Sequence, residues 1–383
     1  MTKRLLTFMM GAALLMAGGR AMAQQPRSGL RDRLHAALDS MQRVNRFPGA
    51  TFSAVLPGGE QITLATGIAD SSGMVSMKPS SRMLAGSIGK TFFAAAVLSL
   101  AEQGTIRLDD PISRYLGSEP WFHRLPNSGT ITIRMLMNHT SGIEEYYGLG
   151  DFMDRLKAEP YRHWDPVGLF SYVFDRKPLF EAGQGWGYSD TNYLILGYLI
   201  EKQTGKNMYD LAKTYALKPN SLKQTEPSLK TRFTGLATGY SRANGPFPYS
   251  GAMVKNGRLV FSPEFEWTGG GFVSGSADLA RWAKAYYALR TAGPGLREEM
   301  RAGIRAATGR DHQYGLGVQI RPGKNGLTYG HSGWFPGYVS DCMYDPSTDL
   351  AVAIQFNTDN GRQLKQSTET YLKQLSDVIA AFL

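Results

Sequence analysis

Apolar residues along this chain follow two periods. Leu30, Leu34, Leu38, Met41 and Val44 recur at helical spacing and predict an N-terminal amphipathic helix, ended by Phe47-Pro48-Gly49. Ala50 to Leu56 and Glu60 to Thr66 predict two strands joined at Pro57-Gly58-Gly59, a hairpin. Phe92 to Leu100 is apolar nearly all round, which marks a buried helix rather than a surface one. That helix is expected over Thr91 to Gln103, with Gly104 as its stop.

From about 105 to 325 the pattern predicts mostly short helices and long loops. Helices are expected at Ile131 to Asn138, at Asn192 to Thr204, and more weakly at Met208 to Tyr215. Ser276 opens another, through Leu279, Trp282, Tyr286 and Leu289. Strands return at Leu327 to Tyr329, Gly337 to Tyr344 and Leu350 to Phe356. Leu364, Thr368, Tyr371, Leu375, Val378 and Phe382 then predict a C-terminal helix. Hairpins at the two ends can pair into one sheet, which the terminal helices would cover. The expected fold is therefore α+β: an antiparallel sheet built from both chain ends, with an inserted helical lobe. The sheet lobe would take about residues 24–85 and 325–383, and the helical lobe about 86–324.

Composition narrows this reading. With 383 residues, 42% hydrophobic and 19% charged, the chain can bury a sizeable core. Residues 1–23 read as a signal peptide: Lys3 and Arg4 are followed by the short apolar run Leu5 to Ala17, then Ala21-Met22-Ala23. The apolar run is short for a membrane span. The expected address is thus exported, periplasmic or secreted, with no membrane span once the leader is removed. The single Cys342 excludes an intramolecular disulfide and reads as a buried small residue. The formal charge is +10, and setting aside Lys3, Arg4 and Arg20 leaves +7. No Lys/Arg run suggests nucleic acid, so this excess reads as a solvated surface. Six scattered histidines, with neither HExxH nor CxxC, point to no metal, and no cofactor is expected.

Three clusters carry candidate chemistry. Ser87 and Lys90 stand one turn apart at the head of the buried helix. Burial and a helix N-terminus both disfavour a lysine's charge, and a neutral amine beside a hydroxyl makes a nucleophile. The plain alternative is a serine cap. Tyr188 lies in Gly187-Tyr188-Ser189-Asp190, just before the Asn192 helix; alone it reads as a packing residue. His331 lies in Gly330-His331-Ser332-Gly333-Trp334 at a strand end; alone it reads as structural.

Taken together and in order, S-x-x-K, Y-S-x and H-x-G resemble the penicillin-recognising serine hydrolases. The similarity is to the branch holding class C β-lactamases, serine D-alanyl-D-alanine carboxypeptidases, D-amino-acid amidases and β-lactamase-like esterases. Connecting segments look alike too, among them Gly104 to Pro111, His139-Thr140-Ser141-Gly142 and Gly270 to Ser274. The resemblance implies that Ser87 attacks a carbonyl to form an acyl-enzyme, which water hydrolyses. Lys90 and Tyr188 would share the proton work, and which takes the first proton stays open. The backbone N–H groups of Ser87 and Trp334 would form the oxyanion hole. Asp190, His331, Ser332 and Gly333 would bind a small-molecule or peptide substrate, a cell-wall peptide being one such. His139 would be structural.

Two departures matter. His331 stands where the β-lactamases carry lysine, and histidine is only partly cationic at neutral pH. This favours a carboxypeptidase, amidase or esterase over a class C-type β-lactamase. Asp190 stands where many members have asparagine; a carboxylate there can pair with Lys90 and hold it charged, moving the base role to Tyr188. Tyr146, Tyr147, Phe152, Tyr161, Trp164, Trp186, Trp334, Phe335 and Tyr338 either line an aromatic cleft or pack the core. Two rivals remain. One is an α/β-hydrolase using Ser87, Asp278 and His331, which needs a parallel sheet before the serine. The other is a non-catalytic receptor for wall peptides.

Overall fold

The computed structural model describes residues 25–288, 294–309 and 311–382. The expected leader at 1–23 and the Leu289 end of the Ser276 helix lie outside them.

Both chain ends build one sheet. Helix α1 (Gln25–Asn45) leads into β1 (Gly49–Val55) and β2 (Gln61–Asp70), followed by a short β3 (Val75–Ser76). The later strands are β4 (Ile304–Arg305), β5 (Gln313–Tyr314), β6 (Gln319–Gly323), β7 (Gly326–Phe335), β8 (Tyr338–Asp345) and β9 (Leu350–Phe356). Their order is β4-β5-β6-β7-β8-β9-β1-β2-β3, antiparallel throughout. Ala50 pairs with Phe356 and Val55 with Ala351, so the first and last strands meet at the centre. Among the described residues no parallel sheet precedes Ser87, which removes the α/β-hydrolase rival. The acid of that rival, Asp278, is buried and occupied by Gln224 N, Thr225 Oγ1 and Arg281.

Both faces of the central strands are covered, by residues of different size. Phe52, Val352, Ile354 and Phe356 pack against Leu30, Leu34 and Leu38 of α1 and against Leu372, Leu375 and Ile379 of the C-terminal helix Thr368–Ala380. The opposite face carries Thr51, Ser53, Ala351 and Ala353. Small side chains there let helix Ser276–Tyr287 approach, and Ser53 Oγ lies 3.1 Å from Ser276 Oγ. The strict alternation follows from the two-residue period of a strand.

The buried helix is α2 (Gly89–Glu102), entered through a 3₁₀ turn at Gly86–Ile88. It starts two residues earlier than the apolar run alone predicts. Phe92 and Phe93 meet Phe272, Trp282 and Tyr209 at ring-centroid separations of 5.0–5.3 Å. Gly89 permits the contact that closes the helix head, because a Cβ there would lie 1.6 Å from Gly270 O. The stretch expected as helices and loops also supplies strands: β4 to β6, and Glu226–Pro227 and Phe272–Gly275, which form a small sheet with Arg82–Leu84 from the earlier lobe. Helix α3 (Asp190–Thr204) begins at Asp190 rather than Asn192. No described helix is long and apolar enough to cross a membrane.

Candidate active site

Ser87 sits in the 3₁₀ turn, half-buried, where α2 abuts β7. Glycines make that approach possible. Gly86 has φ 55°, and a Cβ on it would fall 2.6 Å from both N and O of Trp334. A Cβ on Gly333 would lie 1.9 Å from Ala85 O. The Ser87 turn thus rests on the Gly333–Trp334 backbone, the juxtaposition that an oxyanion hole of Ser87 and Trp334 amides requires.

Lys90 is fully buried one turn on. Its Nζ donates to Ser87 Oγ at 3.0 Å, to Asp190 Oδ1 at 2.5 Å and to the carbonyl of Gly269. All three ammonium protons therefore have an acceptor. Burial pushes the Lys90 pKa down, but the Asp190 carboxylate, followed by Tyr188, more than offsets it, and the net shift is upward. The neutral amine expected from burial and helix position is thereby corrected: Asp190 keeps Lys90 charged. Asp190 opens α3, where the helix dipole favours a carboxylate.

Tyr188 completes the group. Its ring lies 5.0 Å from Lys90 Nζ. The hydroxyl is buried and makes no hydrogen bond of ordinary geometry, yet Ser87 and Lys90 lie near enough to lower its pKa. Burial prevails and pushes the phenol up to about 12. His139 stacks on the Tyr188 ring at 4.2 Å, and its Nδ1 accepts the Ser189 and Asn192 N–H groups at 3.3 and 3.2 Å. It is buried and held neutral by burial and the nearby Lys90 charge, as a structural residue would be.

The third cluster divides. Ser332, Gly333 and Trp334 line a cavity of about 480 Å³ together with Ser87 and Tyr188. The His331 side chain lies behind that wall, fully buried, with Nε2 2.8 Å from Tyr314 Oη and Nδ1 2.7 Å from Ser332 O. Burial, with Lys90 second, lowers its pKa to about 3, so the ring is neutral at pH 7 rather than partly cationic. Cys342, opposite His331 in β8, is buried, and burial raises its thiol to about 12. Of the aromatic residues weighed as cleft lining, Trp334 reaches the cavity, whereas Tyr146, Phe152, Trp164, Phe335 and Tyr338 pack the core.

Three groups at the site carry no clear signal in the sequence. Glu145 accepts Asp190 N at 2.6 Å and Tyr146 N at 2.9 Å, tying the start of α3 to the segment after Gly142. Burial and then the Asp190 charge raise its pKa. Gly269 supplies a carbonyl to Lys90 from a bent segment in which Trp267 has φ 36°. Gln319, on β6, bonds to Ser332 and lines the cavity. Two acids together at Glu144-Glu145 are the only sequence hint; Gly269 and Gln319 offer none. No group of three or more His, Cys, Asp or Glu suited to a metal ion occurs among the described residues.

Known proteins resemble this chain over most of their length. A penicillin-binding protein of Bacillus subtilis (strain 168) is 27% identical over 331 residues, covering 80% of this chain and 67% of its own. Esterase EstB of Burkholderia gladioli is 29% identical over 354 residues, 84% of this chain and 82% of the esterase. A D-stereospecific amidohydrolase from Streptomyces sp. superposes with a TM-score of 0.74 at 26% identity, over 86% of this chain and 97% of that one. The family model described as Beta-lactamase matches residues 34–376. One family model thus takes in both ends of the sheet and everything between them: this chain belongs to the Beta-lactamase family and is a serine hydrolase.

Proposed function

We propose that this chain is an exported hydrolase that cleaves an amide or ester through an acyl-serine at Ser87, of the D-alanyl-D-alanine carboxypeptidase, amidase or esterase kind. The observation that carries the reading is the convergence of Ser87, Lys90 and Tyr188 at the head of α2. Ser87 Oγ attacks the carbonyl carbon and its proton passes toward Tyr188. The oxyanion meets the amides of Ser87 and Trp334. Because Asp190 holds Lys90 protonated, Lys90 acts as a fixed charge, and Tyr188, a neutral phenol, hands its own proton to the leaving atom as it takes the one from Ser87. Water then attacks the acyl carbon by the reverse transfer. Ser332 and Gly333 border the substrate, and Asp190 acts through Lys90. Export is read from the basic start, short apolar run and small-x-small triplet of residues 1–23. A wall peptide is then one substrate within reach.

Incubation with a fluorescent penicillin, nitrocefin and p-nitrophenyl esters, beside Ser87→Ala, tests this. Ester turnover with slow penicillin release supports it. Fast nitrocefin turnover indicates a β-lactamase instead. Stable labelling with no turnover indicates a receptor.

A further inference from the structure

The leaving group has to reach Tyr188 to collect its proton, and the cavity that begins at Ser87 and Tyr188 continues along Gln319 and Ser332. The chemistry of that wall therefore selects what departs. Gln319 Oε1 is already occupied: it accepts from Arg321 Nη2 and from Ser332 N at 3.2 Å. This fixes the amide so that Nε2 turns to Ser332 Oγ, giving it one proton at 3.1 Å and keeping the second for a ligand; the same Oγ lies 3.3 Å from Oε1. The wall then offers an amide N–H and a hydroxyl. Three side chains nearby could have supplied a positive charge. Lys90 is fully buried and gives its three protons to Ser87, Asp190 and Gly269. Arg321 is 2% exposed and bound to both carboxylate oxygens of Asp341 at 3.0 and 3.1 Å, so its charge is spent inside the sheet. His331 is turned inward to Tyr314. Among the described residues lining the cavity no side chain is charged. A carboxylate entering here would lose its water without gaining a cation, which is costly, whereas a neutral carbonyl or amide can accept from Gln319 and Ser332.

We propose that Gln319, held by Arg321, is a specificity-determining residue, and that the leaving side of the substrate is uncharged: an amide or ester without a free carboxylate. This deepens the acyl-serine reading and rests on it. It narrows that reading to its amidase and esterase branches, away from a carboxypeptidase that selects a free C-terminal carboxylate.

The test compares N-acetyl-D-alanyl-D-alanine with its C-terminal carboxamide, following cleavage between the two D-alanines. The expected kcat/KM is at least about tenfold higher for the carboxamide, a gap of about 1.4 kcal/mol. Equal rates, or a preference for the free acid, overturn the proposal. Gln319→Arg is expected to shift the acid-to-amide ratio toward the acid by about tenfold or more; an unchanged ratio in a folded variant counts against Gln319. The wild-type comparison stands even if that variant does not fold. Ser87→Ala separates the two claims: carboxamide cleavage surviving in it sinks the acyl-serine reading, whatever the wild-type ratio.

Discussion

Two cations lie buried within a short distance of the same cleft, and they are used differently. Arg321 spends its charge on Asp341: burial raises the Asp341 pKa, Arg321 pulls it back, and both side chains are almost wholly enclosed. Lys90 meets a carboxylate that keeps 19% of its side chain exposed, and it also touches a carbonyl and a hydroxyl. The first pair is an architectural pin that orients Gln319. The second holds a charge at a nucleophile. A buried ion pair by itself is weak grounds for stability, so what each pair does must come from what else it touches.

The comparison breaks most visibly at Lys90. Lys90→Met keeps the volume and removes the charge, so turnover should fall about 10⁴-fold or more. Stability should fall less than when Arg321 loses its partner, because Asp190 is left near water. Asp341→Ala should do the opposite. Stranding a buried guanidinium costs about 3–5 kcal/mol, seen as a lower urea midpoint, while the Ser87 chemistry of the folded fraction persists. If Lys90→Met proves the more destabilising of the two, the contrast is wrong. Asp190→Asn sharpens it further. The carboxylate holds the Lys90 pKa up against burial, so its loss lets burial prevail. The alkaline limb of the kcat/KM profile, where Lys90 gives up its proton, should move to lower pH by about one unit or more; an unmoved limb removes Asp190 from the proton chemistry.

The smallest effect concerns His331, which the Lys90 charge helps keep neutral. Its folded pKa of about 3 lies below the ordinary value of 6.5. Between those limits the unfolded chain binds the extra proton, so this contribution is complete above pH 6.5 and is lost as pH falls toward 3. The slope should approach about 1.4 kcal/mol per pH unit. Urea midpoints at pH 7.5 and pH 5, with His331→Gln as the flatter control, measure it.

Much of the sheet was legible because its central strands have strong patterns. Ala50 to Leu56 and Leu350 to Phe356 are short apolar runs bounded by turns, and both became strands that pair with each other. The strands β4 to β6 escaped notice. Two are only two residues long, and β6 contains Pro322 and Gly323, which speak against a strand. Ser87, Lys90 and Tyr188 were found by ordered motifs, and they do converge. The charge on Lys90 was not legible in its own helix, where burial argues for a neutral amine. A residue 100 positions away decides it. Gln319 has no local pattern at all: its place depends on the pairing of β6 with β7 and on Arg321.

The central claim is that Ser87 carries the acyl group. The most direct measurement is rapid acid quenching during p-nitrophenyl ester turnover, followed by peptide mass analysis. The account predicts one added acyl group on the peptide holding Ser87, formed and lost at rates matching turnover, and no such adduct in Ser87→Ala. An adduct on another residue, or full turnover without Ser87, would contradict it.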